Sequence, residues 1–202
     1  EIRASDWSSD VCSSDLLGKF DVNKKLSDYL PDLQGNKKNL VIKDILAHQS
    51  GLPAWIPFYK KTLDENKQPS SKIYSKDSSN QFSLKVANDM YMDISYMDTI
   101  YKDIQDADLQ EARYRYSDLG YYYMKRIIEN YFDKPLDEVA DSLIWKRLGG
   151  TRTMYKPLQH GIPLKEIVPT EEDKFFRMQK VHGYVDDQGA AMMGGVAGHA
   201  GI

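Results

Sequence analysis

Residues 45–53 read Ile-Leu-Ala-His-Gln-Ser-Gly-Leu-Pro, and this stretch predicts a short helix that ends in a sharp turn. Ile42, Ile45 and Leu46 follow the three- and four-residue spacing of one helical face, so a helix is expected from residue 41 to residue 48. The Ser-Gly-Leu-Pro that closes the stretch is expected to stop it, because glycine and proline both interrupt helices.

A second stretch, Tyr-Ser-Asp-Leu-Gly-Tyr at residues 116–121, predicts the start of a longer helix. Residues 114–116 are expected to be extended. Ser117 or Asp118 is expected to cap the helix, because either side chain can accept a hydrogen bond from a backbone N–H. The helix is then expected to run to about Phe132.

The rest of the pattern is also mostly helical. Apolar residues recur at intervals of three or four over residues 84–104, which predicts one or two amphipathic helices, and over residues 136–148, which predicts another that ends at Gly149-Gly150. Residues 53–80 are polar and contain several prolines and serines, so a surface excursion is expected there. The sequence therefore predicts many helices and little strand.

Composition excludes several classes of protein. The 202 residues carry 27 Lys plus Arg against 30 Asp plus Glu, a formal net charge of −3, and the basic residues are scattered. Nucleic acid and anionic membranes are therefore not expected as partners, since both attract clustered positive charge. No apolar run approaches the roughly 18 residues of a transmembrane helix. The length favours a single domain with a sizeable core.

Neither a metal site nor a cofactor is expected. None of the four histidines, His48, His160, His182 and His199, has a second ligand at the spacing of a zinc site. The glycine-rich residues 194–201 lack the Gly-Lys-Ser/Thr ending of a phosphate loop, so close backbone packing is the preferred interpretation.

Residues 1–15 differ in character from the rest. They contain Ser-Ser-Asp twice, the only cysteine and no hydrophobic periodicity, and they resemble translated sequencing-adapter sequence. A natural disordered tail is the alternative. We therefore expect a non-domain segment at 1–15 and a partial domain at 16–202.

The motifs resemble, in their order along the chain, the β-lactamase-related serine hydrolase family, which includes class C β-lactamases and penicillin-binding proteins. The similar segments are Gly18-Lys19-Phe20-Asp21, Tyr29-Leu30-Pro31, residues 45–53, Tyr116-Ser117-Asp118-Leu119-Gly120, His182-Gly183-Tyr184-Val185 and residues 194–201. The branch often fused to a family 3 glycoside hydrolase is particularly similar. The resemblance implies an α+β, β-lactamase/transpeptidase-like fold, present here as its mostly helical region with few strands.

The resemblance also implies a site. Family members attack a carbonyl with the serine of an S-x-x-K motif, while its lysine and the tyrosine of Tyr-x-Asn move the proton. Tyr116 is the implied proton-transfer residue, with Ser117 and Asp118 supporting it or binding substrate. Free tyrosine ionises near pH 10, so this role needs a nearby cation. The alternative is that Tyr116 only packs, while Ser117 and Asp118 cap a helix.

Two motifs of the family have no counterpart here. No serine stands three positions before any lysine, and we interpret His199-Ala200-Gly201 as a structural turn rather than the third motif. The chain is therefore expected to be an internal, inactive fragment of a serine hydrolase that acts on a cell-wall peptide, β-lactam or small ester. The alternative is a non-catalytic binding module attached to a glycosidase, favoured by aspartate at position 118. The family mostly works in the bacterial cell envelope.

Overall fold

A computed structural model of the protein describes residues 20–202, in which helices and short strands are mixed. The helices are α1 (Leu26–Tyr29), α2 (Ile42–Leu46), α3 (Tyr96–Asp106), α4 (Leu119–Phe132), α5 (Leu136–Ala140) and α6 (Gln188–Met192). The strands are β1 (Tyr74–Ser75), β2 (Leu84–Ala87), β3 (Met90–Met92), β4 (Glu171–Asp173) and β5 (Gln179–Val181). The expected α+β class with few strands is confirmed, and the expectation for residues 1–15 lies outside the described residues.

Two compact units make up the chain. The first combines the described part of Glu1–Ile56 with Tyr101–Arg152, and the second combines Pro57–Ile100 with Thr153–Ile202. Each unit is therefore built from two separate stretches of sequence. Among residues 20–202, no helix has the length and apolar character needed to cross a bilayer.

Helix α4 contributes a large share of the core of the first unit. Its side chains from Leu119 to Lys125 are buried, as are Ile127 and Ile128. The buried Lys125 pairs with Glu129 one turn later, and the same Glu129 carboxylate accepts a 2.9 Å hydrogen bond from the backbone N–H of Leu136 at the start of α5. The predicted helices at 41–48 and from Ser117 or Asp118 to Phe132 are confirmed in α2 and α4.

The second unit corrects the expectation of helices throughout residues 84–104. Strands β2 and β3 form an antiparallel hairpin there, β1 pairs with the other side of β3, and only α3 is helical. Asn88 and Asp89 make the two-residue connection, in which Asp89 has a φ of +47°. Asn and Asp tolerate such angles better than most residues, so this pair was the signal for a hairpin.

Residues 53–80 are less superficial than expected. Phe58 and Thr62 are buried at the two ends of a 3₁₀ helix (Phe58–Thr62), and Tyr74 is buried in β1. The Tyr74 hydroxyl donates a 2.9 Å hydrogen bond to Thr62 Oγ1, and its ring lies 5.8 Å from that of the fully buried Phe176. The expectation of a surface excursion is therefore wrong for this part, because its few apolar side chains form part of the core of the second unit.

The third predicted helix, over residues 136–148, is only partly α-helical. Regular α5 continues into a π-helical turn (Asp141–Trp145), and Gly149 has the positive φ of +72° that is common just after a helix. The predicted stop is thus confirmed, although the α-helix itself is short.

Candidate functional site

The turn that follows α2 and the segment that precedes α4 lie side by side in the first unit. The backbone N–H of Arg115 donates a 2.9 Å hydrogen bond to the carbonyl oxygen of His48, and the N–H of Asp118 donates one of 3.1 Å to that of Ala54. These bonds bring together the two sequence motifs that carry the family resemblance. The turn is therefore hydrogen-bonded to the backbone of residues 115–118.

Gly51 lets this turn approach the neighbouring chain closely. Its carbonyl oxygen accepts a 2.7 Å hydrogen bond from the N–H of Gln110, and its φ is +78°. A Cβ atom at this position would lie 2.4 Å from the carbonyl oxygen of Gln110. Both the backbone angle and the space therefore require glycine here.

Ser117 is buried and makes three hydrogen bonds. Its Oγ donates to the carbonyl oxygen of Pro53 at 2.6 Å and accepts from the N–H of Leu119 at 3.2 Å, and its own N–H donates to Nδ1 of His48 at 3.2 Å. The expected capping role is thus met by Ser117. Of the two expected capping residues it is therefore Ser117 that bonds a helix N–H, whereas Asp118 occupies the N-cap position without a side-chain capping bond.

Tyr116 differs from the tyrosines that follow it. Its side chain is 51% exposed, whereas Tyr121, Tyr122 and Tyr123 are buried in α4. Tyr121, Tyr122 and Tyr123 therefore serve the core of the first unit. The ring of Tyr116 lies 4.6 Å from the His48 ring, centroid to centroid, at 42°. A half-exposed phenol supported from one side is an arrangement in which a side chain can meet a substrate.

His48 bonds to Ser117 and packs against Tyr116, and we refer to His48, Tyr116 and Ser117 together as the corner. The sequence did not predict this role for His48. It is buried and has a φ of +56°. Its ring also approaches those of Tyr114 and Tyr121, with centroid distances of 6.4 and 5.9 Å. The sequence places His48 in the turn that contains Ser50 and Gly51, but it does not show which groups the ring contacts.

Two other histidines also hold neighbouring groups. His182 Nε2 lies 2.7 Å from the carbonyl oxygen of Ile167, and His199 Nε2 lies 3.3 Å from Oδ1 of Asp187. Asp187 Oδ1 also accepts a 2.6 Å bond from the N–H of Ala190 at the start of α6. Burial acts to raise the pKa of Asp187, but these two hydrogen bonds outweigh it and hold that pKa below its ordinary value.

The glycine-rich C-terminal residues form a turn. The N–H of Ala197 donates a 3.2 Å hydrogen bond to the carbonyl oxygen of Ala200, and the buried Tyr155 hydroxyl donates one of 3.0 Å to the carbonyl oxygen of Ala197. This geometry supports the structural interpretation of His199-Ala200-Gly201.

Comparison with known proteins identifies a family. A family model described as Beta-lactamase matches residues 17–202. A Bacillus subtilis protein named N-acetylmuramyl-L-alanine amidase is 32% identical over 205 residues, which cover 92% of this chain and 41% of that protein. A Salmonella typhimurium protein, named as a proposed D-alanyl-D-alanine carboxypeptidase, is 32% identical over 203 residues, which cover 92% of this chain and 42% of that protein. The chain thus spans about two fifths of the length of these relatives.

A solved structure shows the same fold. The D-amino acid amidase of Ochrobactrum anthropi superposes with a TM-score of 0.51 at 17% identity, over 84% of this chain and 41% of that one. At this identity the likeness concerns the fold alone.

Proposed function

Because the chain belongs to the beta-lactamase family, we propose that the whole protein is a serine hydrolase that cleaves an amide bond in a cell-wall peptide through an acyl-enzyme. The observation that carries the proposal is the half-exposed Tyr116 at the start of α4, backed by the buried Ser117 and His48. The names of two relatives, an amidase and a carboxypeptidase, favour an amide over an ester.

In the proposed reaction Tyr116 moves one proton twice. With Tyr116 as the phenolate, a serine oxygen attacks the amide carbonyl carbon while the Tyr116 oxygen takes the serine proton, and the same proton then passes to the leaving amine as the carbon–nitrogen bond breaks, which restores the phenolate. Water hydrolyses the resulting ester and restores the serine. Since no serine precedes a lysine by three residues here, the nucleophile and its lysine would come from a part of the protein outside these 202 residues.

Asp118 distinguishes this chain from the usual Tyr-x-Asn pattern. An ionised aspartate only accepts hydrogen bonds, whereas asparagine can also donate one to a substrate carbonyl. A substrate that presents an N–H or ammonium group at this position would suit Asp118, and a β-lactam would suit it less. This residue also favours the second candidate function, a non-catalytic binding module attached to a glycosidase.

Labelling of the full-length gene product with a fluorescent penicillin and a fluorophosphonate, together with hydrolysis of a D-alanyl peptide, tests the proposal. We expect a covalent serine adduct and an acylation rate that falls about 10²- to 10⁴-fold in Tyr116→Phe, because the proton carrier is lost. Tyr114→Phe is the matched control, since Tyr114 is exposed on the same segment, and its rate should stay within about twofold of wild type.

The outcomes separate the two candidates. A full-length protein that forms no adduct and cleaves no peptide would contradict the hydrolase and leave the binding module. An adduct with equal rates in Tyr116→Phe and Tyr114→Phe would keep the hydrolase but remove Tyr116 from its mechanism.

A further inference from the structure

The hydrogen bond between Ser117 and His48 fixes the protonation pattern of the histidine ring. A backbone N–H can only donate, so the Nδ1 atom that faces it at 3.2 Å must be an acceptor and carries no proton. In the neutral ring the proton therefore lies on Nε2. His48 acts here as a neutral acceptor, a role that Lys, Arg or a protonated histidine cannot fill.

His48 holds the chain on both sides of Tyr116. Its backbone carbonyl oxygen accepts from the N–H of Arg115 at 2.9 Å, and its Nδ1 accepts from the N–H of Ser117 at 3.2 Å. The two bonded amides directly precede and directly follow Tyr116 in the sequence. One residue thus restrains the backbone at the two positions that determine the direction of the Tyr116 Cα–Cβ bond.

The ring of His48 adds a third restraint on the side chain itself. The two ring centroids are 4.6 Å apart, which is within contact range for a tilted aromatic pair. His48 is buried, so its ring has little room to move, whereas the Tyr116 side chain is half exposed. Contact with a buried ring limits the rotamers open to a half-exposed side chain.

The backbone of His48 is adapted to this task. Its φ of +56° is uncommon outside glycine, and among other residues Asn, Asp and His adopt it most readily. This angle belongs to the residue that presents both its carbonyl oxygen and its ring to residues 115–117. Backbone conformations of this kind cost free energy and persist where the surrounding contacts enforce them.

We propose that His48 is the positioning residue for Tyr116: it clamps the backbone on either side of the tyrosine and supports its ring, so that the phenol stays where it can move a proton. The inference rests on the proposed function, because positioning matters for catalysis only if Tyr116 acts in the reaction. Misplacement of a reacting group by about 1 Å can lower a rate about 10²-fold.

Two substitutions in the full-length protein separate the ring from the acceptor. His48→Phe keeps an aromatic ring but removes the acceptor, and His48→Asn keeps an oxygen acceptor close to the Nδ1 position and tolerates the positive φ. We expect kcat for the D-alanyl peptide to fall about 10²-fold in His48→Phe with KM within about twofold. In His48→Asn kcat should recover at least about tenfold relative to His48→Phe.

The matched control is His182→Phe. The ring of His182 likewise makes a hydrogen bond to a backbone group, but its partner is the carbonyl oxygen of Ile167 rather than the chain around Tyr116, so kcat in this variant should stay close to wild type. Equal kcat in wild type and His48→Phe, or no difference between His48→Phe and His48→Asn, would overturn the inference. If His48→Phe fails to fold, His48→Asn is compared with His48→Gln, whose oxygen lies one bond further out, and the same recovery in Asn over Gln is expected.

A second measurement does not depend on activity. In His48→Phe the amide hydrogen of Ser117 should exchange at least about tenfold faster, because its acceptor is gone, and the ¹⁹F signal of 3-fluorotyrosine at position 116 should move toward the free amino acid value. In His48→Asn the exchange rate of the Ser117 amide should stay near wild type, because an acceptor is retained. An inactive wild-type protein with these changes would refute the proposed function and keep the clamp, whereas unchanged exchange and ¹⁹F signals would refute the clamp.

Discussion

The corner around Ser117 and the cluster around Arg177 both bury polar side chains, but they do so with different chemistry. In the corner, His48 and Ser117 are neutral and bond mainly to backbone groups. In the cluster, in the second unit, the buried side chains are the ions Arg177 and Asp173. Neutral groups cost less to bury than charges, so the corner can hold an exposed side chain in place at little expense in stability.

The Arg177 guanidinium donates hydrogen bonds to four residues of the second unit. The guanidinium donates to Asp173 at 2.7 Å, to Glu171 at 2.6 Å, and to the carbonyl oxygens of Val185 and Asp186 at 2.6 Å each. These bonds join the β4–β5 hairpin to the segment before α6. A buried polar network can therefore position a neighbouring side chain, as in the corner, or only stabilise the fold, as in the cluster.

Loss of the cluster's cation should have the largest effect on stability. Arg177→Met leaves the fully buried carboxylate of Asp173 without its counter-ion, and we expect a loss of about 3–5 kcal/mol in urea denaturation. Lys102→Met is the control, because its ion pair with Asp106 is exposed and should contribute little to stability. Similar losses in the two variants would mean that burial does not distinguish this cluster from a surface pair.

In the corner the largest effect should come from backbone packing rather than charge. Gly51→Ala places a Cβ 2.4 Å from the carbonyl oxygen of Gln110 at a positive φ, and we expect a loss of about 2–3 kcal/mol. Gly35→Ala is a matched control, since Gly35 has a φ of +73° but no atom within 4 Å of such a Cβ. Its loss should be about 1 kcal/mol, from the backbone angle alone.

The difference between the losses of stability in the two alanine variants measures the effect of the close approach between residue 51 and Gln110. Equal losses would show that the turn after α2 can move away from Gln110, and the corner would then be softer than its hydrogen bonds indicate.

Local patterns predicted α2 and α4 well but failed for β2 and β3. Helix α4 has a polar start at Ser117 and a long apolar face, so its signal lies within one stretch of sequence. In β2 and β3 the residues Ala87, Met90 and Tyr91 also satisfy a helical spacing, and the short strands give few residues from which to detect a period of two. Pairing with β1, ten or more residues away, decides the structure there.

The candidate site could be predicted in part. The motif order marked Tyr116, Ser117 and Asp118, but not which of their side chains is exposed or which caps the helix. The bond between Ser117 and His48 spans 69 positions, and such contacts leave no trace in the local pattern of a single sequence. Arg177 was missed for another reason, because arginine is mostly exposed in proteins, even though Phe176 and Met178 flank it here.

The cluster also contains two carboxylates whose pKa values move in opposite directions. For both carboxylates burial has the largest single effect, and by itself it would raise the pKa. For Asp173 the hydrogen bonds from Arg177 and from the N–H groups of Phe175 and Phe176 outweigh burial, so its pKa lies below the ordinary 3.8. For Glu171 burial and the nearby charge of Asp173 outweigh Arg177, so its pKa lies above the ordinary 4.5.

This contrast predicts opposite pH dependences for the two carboxylates of the cluster. A carboxylate with a depressed native pKa stabilises the fold above its unfolded pKa, and this contribution is lost as pH falls through the native value. The destabilisation caused by Asp173→Asn, measured in urea, should therefore shrink as pH is lowered below about 3.8, by at most about 1.4 kcal/mol per pH unit for one proton.

Glu171→Gln should show the opposite trend, because a raised native pKa stabilises the fold at low pH and this contribution is lost as pH rises through it. Ser117→Ala removes only neutral hydrogen bonds and should lose about 1 kcal/mol at any pH at which His48 stays neutral and keeps its bond to the Ser117 N–H. A loss in Ser117→Ala that varied with pH in step with Asp173→Asn would show that the corner and the cluster respond to the same ionisation, and the distinction between a neutral and a charged network would fail.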